Sequence, residues 1–151
     1  MVQSHMTATG RKGLSAPMRR LREAGLLEGR VLDFGCGRGQ DADALGIQGY
    51  DPHWRTEKPE GRYDVVTCNY VLNVLRLRKE REMVVQEILG LLEQGGVAYF
   101  TVRRDIKGCY RTPKGWQVNV KAVAGAESLW KTAGYETFVI GRDPKTSSTG
   151  R

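Results

Sequence analysis

Glycine spacing constrains this chain more than any other feature. The stretch VLDFGCGRG, Val31 to Gly39, sets an apolar run and one acid directly against Gly35, Gly37 and Gly39. Glycine accepts positive φ and lets backbone approach another group closely. An apolar run ending on such a turn reads as a buried strand that delivers exposed backbone to a ligand or to a packed helix. The segment GYD then ends the next short strand on Asp51, placed to accept hydrogen bonds from two ribose hydroxyls. Gln40 stands where a dinucleotide fingerprint has its last glycine, and no glycine-lysine-serine/threonine follows, so the turn matches neither that fingerprint nor a Walker loop.

The rest of the chain alternates strands with helical patterns. Ser15 caps a short basic helix that carries Pro17 in its first turn and stops near Gly25. A helix starts over Gln40 to Leu45, a strand covers Ile47 to Asp51, and Pro52 to Arg62 is loop. A buried strand, Asp64 to Asn69, passes into an apolar segment ending at Leu75. Val84, Ile88, Leu91 and Leu92 predict a helix over Arg78 to Gln94, with Gly95 and Gly96 as its stop. A strand over Val97 to Val102 follows, then a turn-rich basic loop, an alternating strand from Trp116, a helix over Ala126 to Ala133 and a strand over Glu136 to Ile140. The tail from Asp143 is expected to fray. This order predicts an α/β, Rossmann-like three-layer sandwich with a mostly parallel sheet, whose ligands bind beyond the carboxyl ends of the strands.

At 151 residues the chain is expected to form one domain, 6 to 142, with residues 1 to 5 a cloning remnant. It has neither an apolar run of membrane-spanning length nor a signal-peptide core near Met1, which points to a soluble, cytoplasmic protein. Cys36, Cys68 and Cys109 are odd in number and far apart, which argues against a disulfide frame or a zinc site and leaves no metal expected. The net charge of +7 favours an anionic partner. It concentrates in two clusters, Arg11, Lys12, Arg19, Arg20, Arg22 and Arg30, and Arg103, Arg104, Lys107, Arg111 and Lys114. With Tyr110 and Trp116 the second cluster could hold phosphates and stack on bases, or be a solvated hairpin with its aromatics in the core.

In VLDFGCGRG, GYD, YDVVTCNYVLNVL, LLEQGGVAYFTV and LWKTAGYETFVI the chain resembles class I S-adenosylmethionine-dependent methyltransferases over residues 30 to 140. The resemblance implies S-adenosylmethionine as cofactor. It implies that Asp33 and the turn Gly35, Cys36, Gly37 and Gly39 meet the methionine moiety, that Asp51 with Pro52 meets the ribose, and that Asn69, Tyr70, Val71 and Leu72 line the sulfonium side. Cys36 is expected to pack rather than react.

Two departures stand out. The helix and strand that normally follow the second-strand acid, and end in an acid facing the adenine, are missing: the fold is shortened between its second and fourth strands. The Asp/Asn/Ser-Pro-Pro-aromatic motif of amino-directed nucleic-acid methyltransferases is also absent, since Asn69 leads into Tyr-Val-Leu. LSAP, GCGRGQD, YDPHW and NYVLNV are similar to methyltransferases found beside DNA phosphorothioation genes.

Methyl transfer from a sulfonium needs orientation more than catalytic groups, because the cofactor is already activated. Asn69 and Tyr70 are the candidates for positioning the acceptor, with Asp105 and His53 as candidate bases. Asn69 could instead cap the next segment, Asp105 could pair with Arg103 or Arg104, and His53 could be an ordinary loop residue. Three functions fit: a methyltransferase on nucleic acid or another anionic acceptor, reached through the clusters near Arg19 and Arg103; a small-molecule or protein methyltransferase with incidental charge; and a binding module without turnover.

Overall fold

The computed structural model describes residues 13–142; Arg11, Lys12, the expected cloning remnant and the expected tail lie outside the described residues. Its elements are α1 (Ala16–Glu23), β1 (Val31–Phe34), α2 (Gln40–Leu45), β2 (Gln48–Tyr50), β3 (Tyr63–Asn69), a 3-10 turn (Leu72–Val74), α3 (Arg78–Leu89), β4 (Leu92–Arg103), β5 (Cys109–Thr112), β6 (Gly115–Val118), β7 (Glu127–Lys131) and β8 (Tyr135–Gly141).

Six strands form one sheet in the order β2-β1-β3-β4-β8-β7, and β5 and β6 form a separate hairpin. β2, β1, β3 and β4 pair in parallel, while β8 is antiparallel to both β4 and β7. The sheet is therefore mostly parallel, with β8 the reversed strand.

Alternation along the strands explains the layers. Leu32, Val66, Ala98 and Phe100 point into a core completed by Val84, Val85 and Ile88 of α3. Val31, Val65 and Tyr99 point the opposite way, against Met18 and Leu21 of α1. Both faces are covered, as the uninterrupted apolar runs require.

Three local expectations change. The segment 126–133 forms no helix. Thr132 Oγ1 accepts the N–H groups of Gly134 (3.1 Å) and Tyr135 (3.0 Å), and this turn folds β7 back along β8 as a hairpin. The helix over 78–94 stops at Leu89, because Leu92 already pairs with Tyr63 as strand and residues 93–96 bulge out before Val97 rejoins at Val65. The strand from Trp116 ends at Val118, and part of the basic loop before it becomes its partner β5. Among the described residues no helix is long and apolar enough to cross a membrane.

Candidate active site

The glycine turn is fastened to β2. Gly35 and Cys36 both donate their N–H to the Tyr50 carbonyl, at 2.7 and 2.9 Å. Gly35, Gly37 and Gly39 all have positive φ, +79°, +58° and +87°, which L side chains resist. A Cβ on Gly35 would also run into Val71 Cγ2, so the chain leaving β3 packs directly onto the turn. Gly49 does similar service beneath: a Cβ there would lie 2.8 Å from Cys36 Sγ. Burial first, then the nearby Asp33 and Asp51 carboxylates, push the Cys36 thiol up to about 12, so it stays protonated at neutral pH and packs. Cys68 is raised too, by its complete burial and then by Asp33.

Asp51 follows at the end of β2, buried. Its Oδ2 accepts the Gly37 N–H at 3.0 Å, and its Oδ1 accepts those of His53 (2.9 Å) and Trp54 (3.0 Å). A carboxylate offers about four acceptor positions. Three are used, which leaves acceptor capacity on Oδ2. Pro52, His53 and Trp54 are exposed in the turn that follows. Arg55 closes it, with a fork to Asp43 at 3.0 and 2.7 Å and a further bond to the Arg38 carbonyl at 3.0 Å.

At the ends of β1, β3 and β4 the face that carries α1 turns polar. Asp33 pairs in register with Thr67, whose Oγ1 donates to Asp33 Oδ1 at 2.9 Å, and Asn69 pairs with Thr101, itself hydrogen-bonded to Thr137. Asn69 is the exception in this row: its Oδ1 and Nδ2 are both buried and neither has a partner. An orphaned buried amide is costly unless a ligand completes it. Tyr70 is the only non-glycine described residue with positive φ, +62°, and such strain clusters at functional sites. Val71 covers Gly35, while Leu72 turns into the core and is 1% exposed.

The start of α1 reaches the same rim. Ser15 donates its N–H and hydroxyl to the buried Asp41 carboxylate, at 2.8 and 2.7 Å, so LSAP and GCGRGQD are bonded to each other. Ser15 is the N-cap position of α1, but its side chain serves Asp41 rather than the helix. On the other side Asn73 receives the Arg103 N–H (2.7 Å) and donates to the Val118 carbonyl (3.0 Å). This fully buried amide moors the basic hairpin to the ends of β3 and β4. Asp105 forms a two-point pair with Arg103, at 2.9 and 2.7 Å, and the guanidinium holds its carboxyl below the usual range. Tyr110 is exposed, and Arg76 lies 5.0 Å over the Trp116 ring.

The structure thus brings Asp33, the glycine turn, Asp51, Asn69 and Tyr70 to one rim, with His53 at one margin and Asp105 at another. Ser15, Asp41, Arg55 and Asn73 organise that rim, and no local spacing signals these roles, because each depends on a partner 12 to 45 residues away. The residues fit the cofactor that the resemblance implies: an open glycine turn at the end of β1, flanked by a carboxylate with acceptor capacity after β2 and an unpaired amide at the end of β3. Among the described residues no group of His, Cys, Asp and Glu could hold a metal ion.

A family model described as a methyltransferase domain matches residues 6–135. No curated protein matches the chain. Solved structures share its fold. The CcbJ methyltransferase from Streptomyces caelestis aligns with a TM-score of 0.59 at 16% identity, over 93% of this chain and 95% of that one. An S-adenosylmethionine-dependent methyltransferase from Clostridium acetobutylicum aligns at 0.59 and 11% identity, over 84% and 89%. The 1,6-didemethyltoxoflavin-N1-methyltransferase of Burkholderia thailandensis, solved with S-adenosylhomocysteine, aligns at 0.59 and 15% identity, over 93% and 79%. With the methyltransferase-domain model covering residues 6–135, the chain belongs to the class I S-adenosylmethionine-dependent methyltransferases.

Proposed function

We propose that this methyltransferase acts on an anionic acceptor held over the rim between Tyr70 and the β5–β6 hairpin. The observation that carries this reading is the mooring of the hairpin by Asn73, which fixes a cationic arm bearing Lys107, Arg111 and Lys114 beside the strand ends. Bound S-adenosylmethionine supplies an activated methyl group. The protein orients: the glycine turn and Asp51 hold one reactant, and Asn69 and Tyr70 align the other for in-line displacement. Asp105, tied into its fork with Arg103, is a weak base and serves to brace that arginine.

The acceptor is read as small, in keeping with the Burkholderia neighbour bound to 1,6-didemethyltoxoflavin. The second reading, nucleic acid, is favoured by the further cations Arg19 and Arg22, exposed on α1. Labelled methyl transfer into pools of anionic small molecules, DNA and RNA tests both. Replacing Lys107, Arg111 and Lys114 together by Ala is expected to raise the acceptor KM about tenfold and leave S-adenosylhomocysteine affinity unchanged, since exposed ion pairs contribute up to about 1 kcal/mol each. A nucleic-acid acceptor would make log affinity fall with log salt by about 0.9 per phosphate on duplex and about 0.7 on single strands. Methyl transfer unaffected by the triple substitution would remove the hairpin from the acceptor site.

A further inference from the structure

Among the described residues four buried side-chain polar atoms have no hydrogen-bond partner, and three of them belong to two amides near the rim: Asn69 Oδ1 and Nδ2, and Gln117 Oε1. The fourth, the Trp130 indole nitrogen, lies away on the edge strand β7. Gln117 reaches the rim through the moored hairpin. Its neighbour Val118 faces the core, and the Val118 carbonyl accepts the Asn73 amide in the turn that follows Asn69 and Tyr70. Alternation puts Gln117 on the opposite side of β6, the side it shares with Tyr110, its cross-strand partner. That side is turned to Arg103. The Arg103 guanidinium is held above its usual range first by the Asp105 fork and further by the phenols of Tyr110 and Tyr70, which both lie within electrostatic reach. Arg103 stands two residues beyond Thr101, the register partner of Asn69, so Arg103 and Asn69 leave the sheet on one face.

Asp105 takes the Nε hydrogen and one Nη2 hydrogen of Arg103, at 2.9 and 2.7 Å, which leaves the Nη1 side of the fork for a ligand. A planar carboxylate matches a guanidinium edge. Tyr70 and Tyr110 supply aromatic surface beside it, and Gln117 Oε1, a buried acceptor, calls for an N–H or O–H donor. We propose that the methyl acceptor is a small aromatic carboxylate bearing an amino group or a hydroxyl, with its carboxylate on the outer edge of Arg103 and its N–H or O–H on Gln117 Oε1. The inference rests on the anionic-acceptor reading above and narrows it. Gln117 then determines specificity, selecting a donor to which the cationic side chains are indifferent. A Gln117 amide that served the fold alone would lower stability when removed, whereas loss of an orphaned acceptor does not.

Calorimetric titration of the full chain, saturated with S-adenosylhomocysteine, tests this with the ortho, meta and para isomers of aminobenzoate and hydroxybenzoate, with benzoate, and with the amide of the tightest binder. The best substituted benzoate is expected to bind about tenfold more tightly than benzoate, as one neutral hydrogen bond supports. It should bind on the order of 10- to 100-fold more tightly than its amide, the range for a hydrogen bond to a charge. Gln117→Met should bind substituted and plain benzoate within about twofold of each other, keep the preference for carboxylate over amide, and melt at or above the wild-type temperature. Arg103→Met should do the reverse, losing the carboxylate preference and keeping that for the donor. A wild-type chain that binds benzoate as tightly as every substituted isomer overturns the proposal, whether or not the variants fold. So does a folded Gln117→Met that keeps the donor preference, or a folded Arg103→Met that keeps the carboxylate preference. No binding of any probe also overturns it, and methyl transfer into the broader pools then tests the anionic-acceptor reading by itself. Binding of the amide as tight as that of the carboxylate overturns both.

Discussion

Replacing Asp51 by Ala is expected to weaken S-adenosylhomocysteine binding by about 1.5–3 kcal/mol, roughly ten- to a hundredfold, the range for hydrogen bonds to a charged group. The loss has two sources. The ribose loses its acceptor, and the N–H groups of Gly37, His53 and Trp54 lose theirs, so the glycine turn and the following turn come apart where they are joined. Asp51→Asn separates the two. Its carbonyl oxygen can still accept the His53 and Trp54 bonds, so the melting temperature should stay closer to wild type while affinity remains low. Calorimetry paired with thermal melting reads both quantities. Wild-type affinity in Asp51→Ala would remove the ribose role.

Substitutions of two neighbouring glycines should fail in different ways. Gly35 and Gly37 both have positive φ, so valine strains the backbone at either position. At Gly35 the new Cβ also meets Val71, whose neighbour Leu72 lies in the core, so Gly35→Val should lower the melting temperature markedly. At Gly37 the strain falls on the turn itself, whose N–H reaches Asp51. Gly37→Val is expected to abolish S-adenosylhomocysteine binding while the chain stays folded by circular dichroism. Retained affinity in folded Gly37→Val would show that the turn serves packing alone.

What could be read from the sequence follows how local each determinant is. β1, the glycine turn, α2 and β2 lie within 20 contiguous residues, and their apolar runs and glycines specify them directly. The shortened middle is likewise a matter of counting residues between Asp51 and Tyr63. β7 was harder. ESLWK sits among helix-favouring residues, and only its pairing with β8 makes it a strand; that pairing is closed by Thr132, a residue with no strong signal of its own. The end of α3 is set from a distance: Leu91 and Leu92 continue the helical spacing past Gly90, while the partner that claims Leu92, Tyr63, is 29 positions earlier. Within the site, Asp51 and the glycines were legible by type and order. That Asp51 would receive three backbone N–H bonds, that Asn69 would be left unpaired and that Ser15 would bind Asp41 are outcomes of tertiary assembly, which spacing does not encode.

Titration of the wild-type chain with S-adenosylmethionine and S-adenosylhomocysteine, by calorimetry and thermal melting together, tests the central claim most directly. One ligand should bind per chain, and at about a hundredfold excess over its Kd it should stabilise the fold by roughly 2.7 kcal/mol. Neither heat nor a melting shift with either ligand would contradict the account.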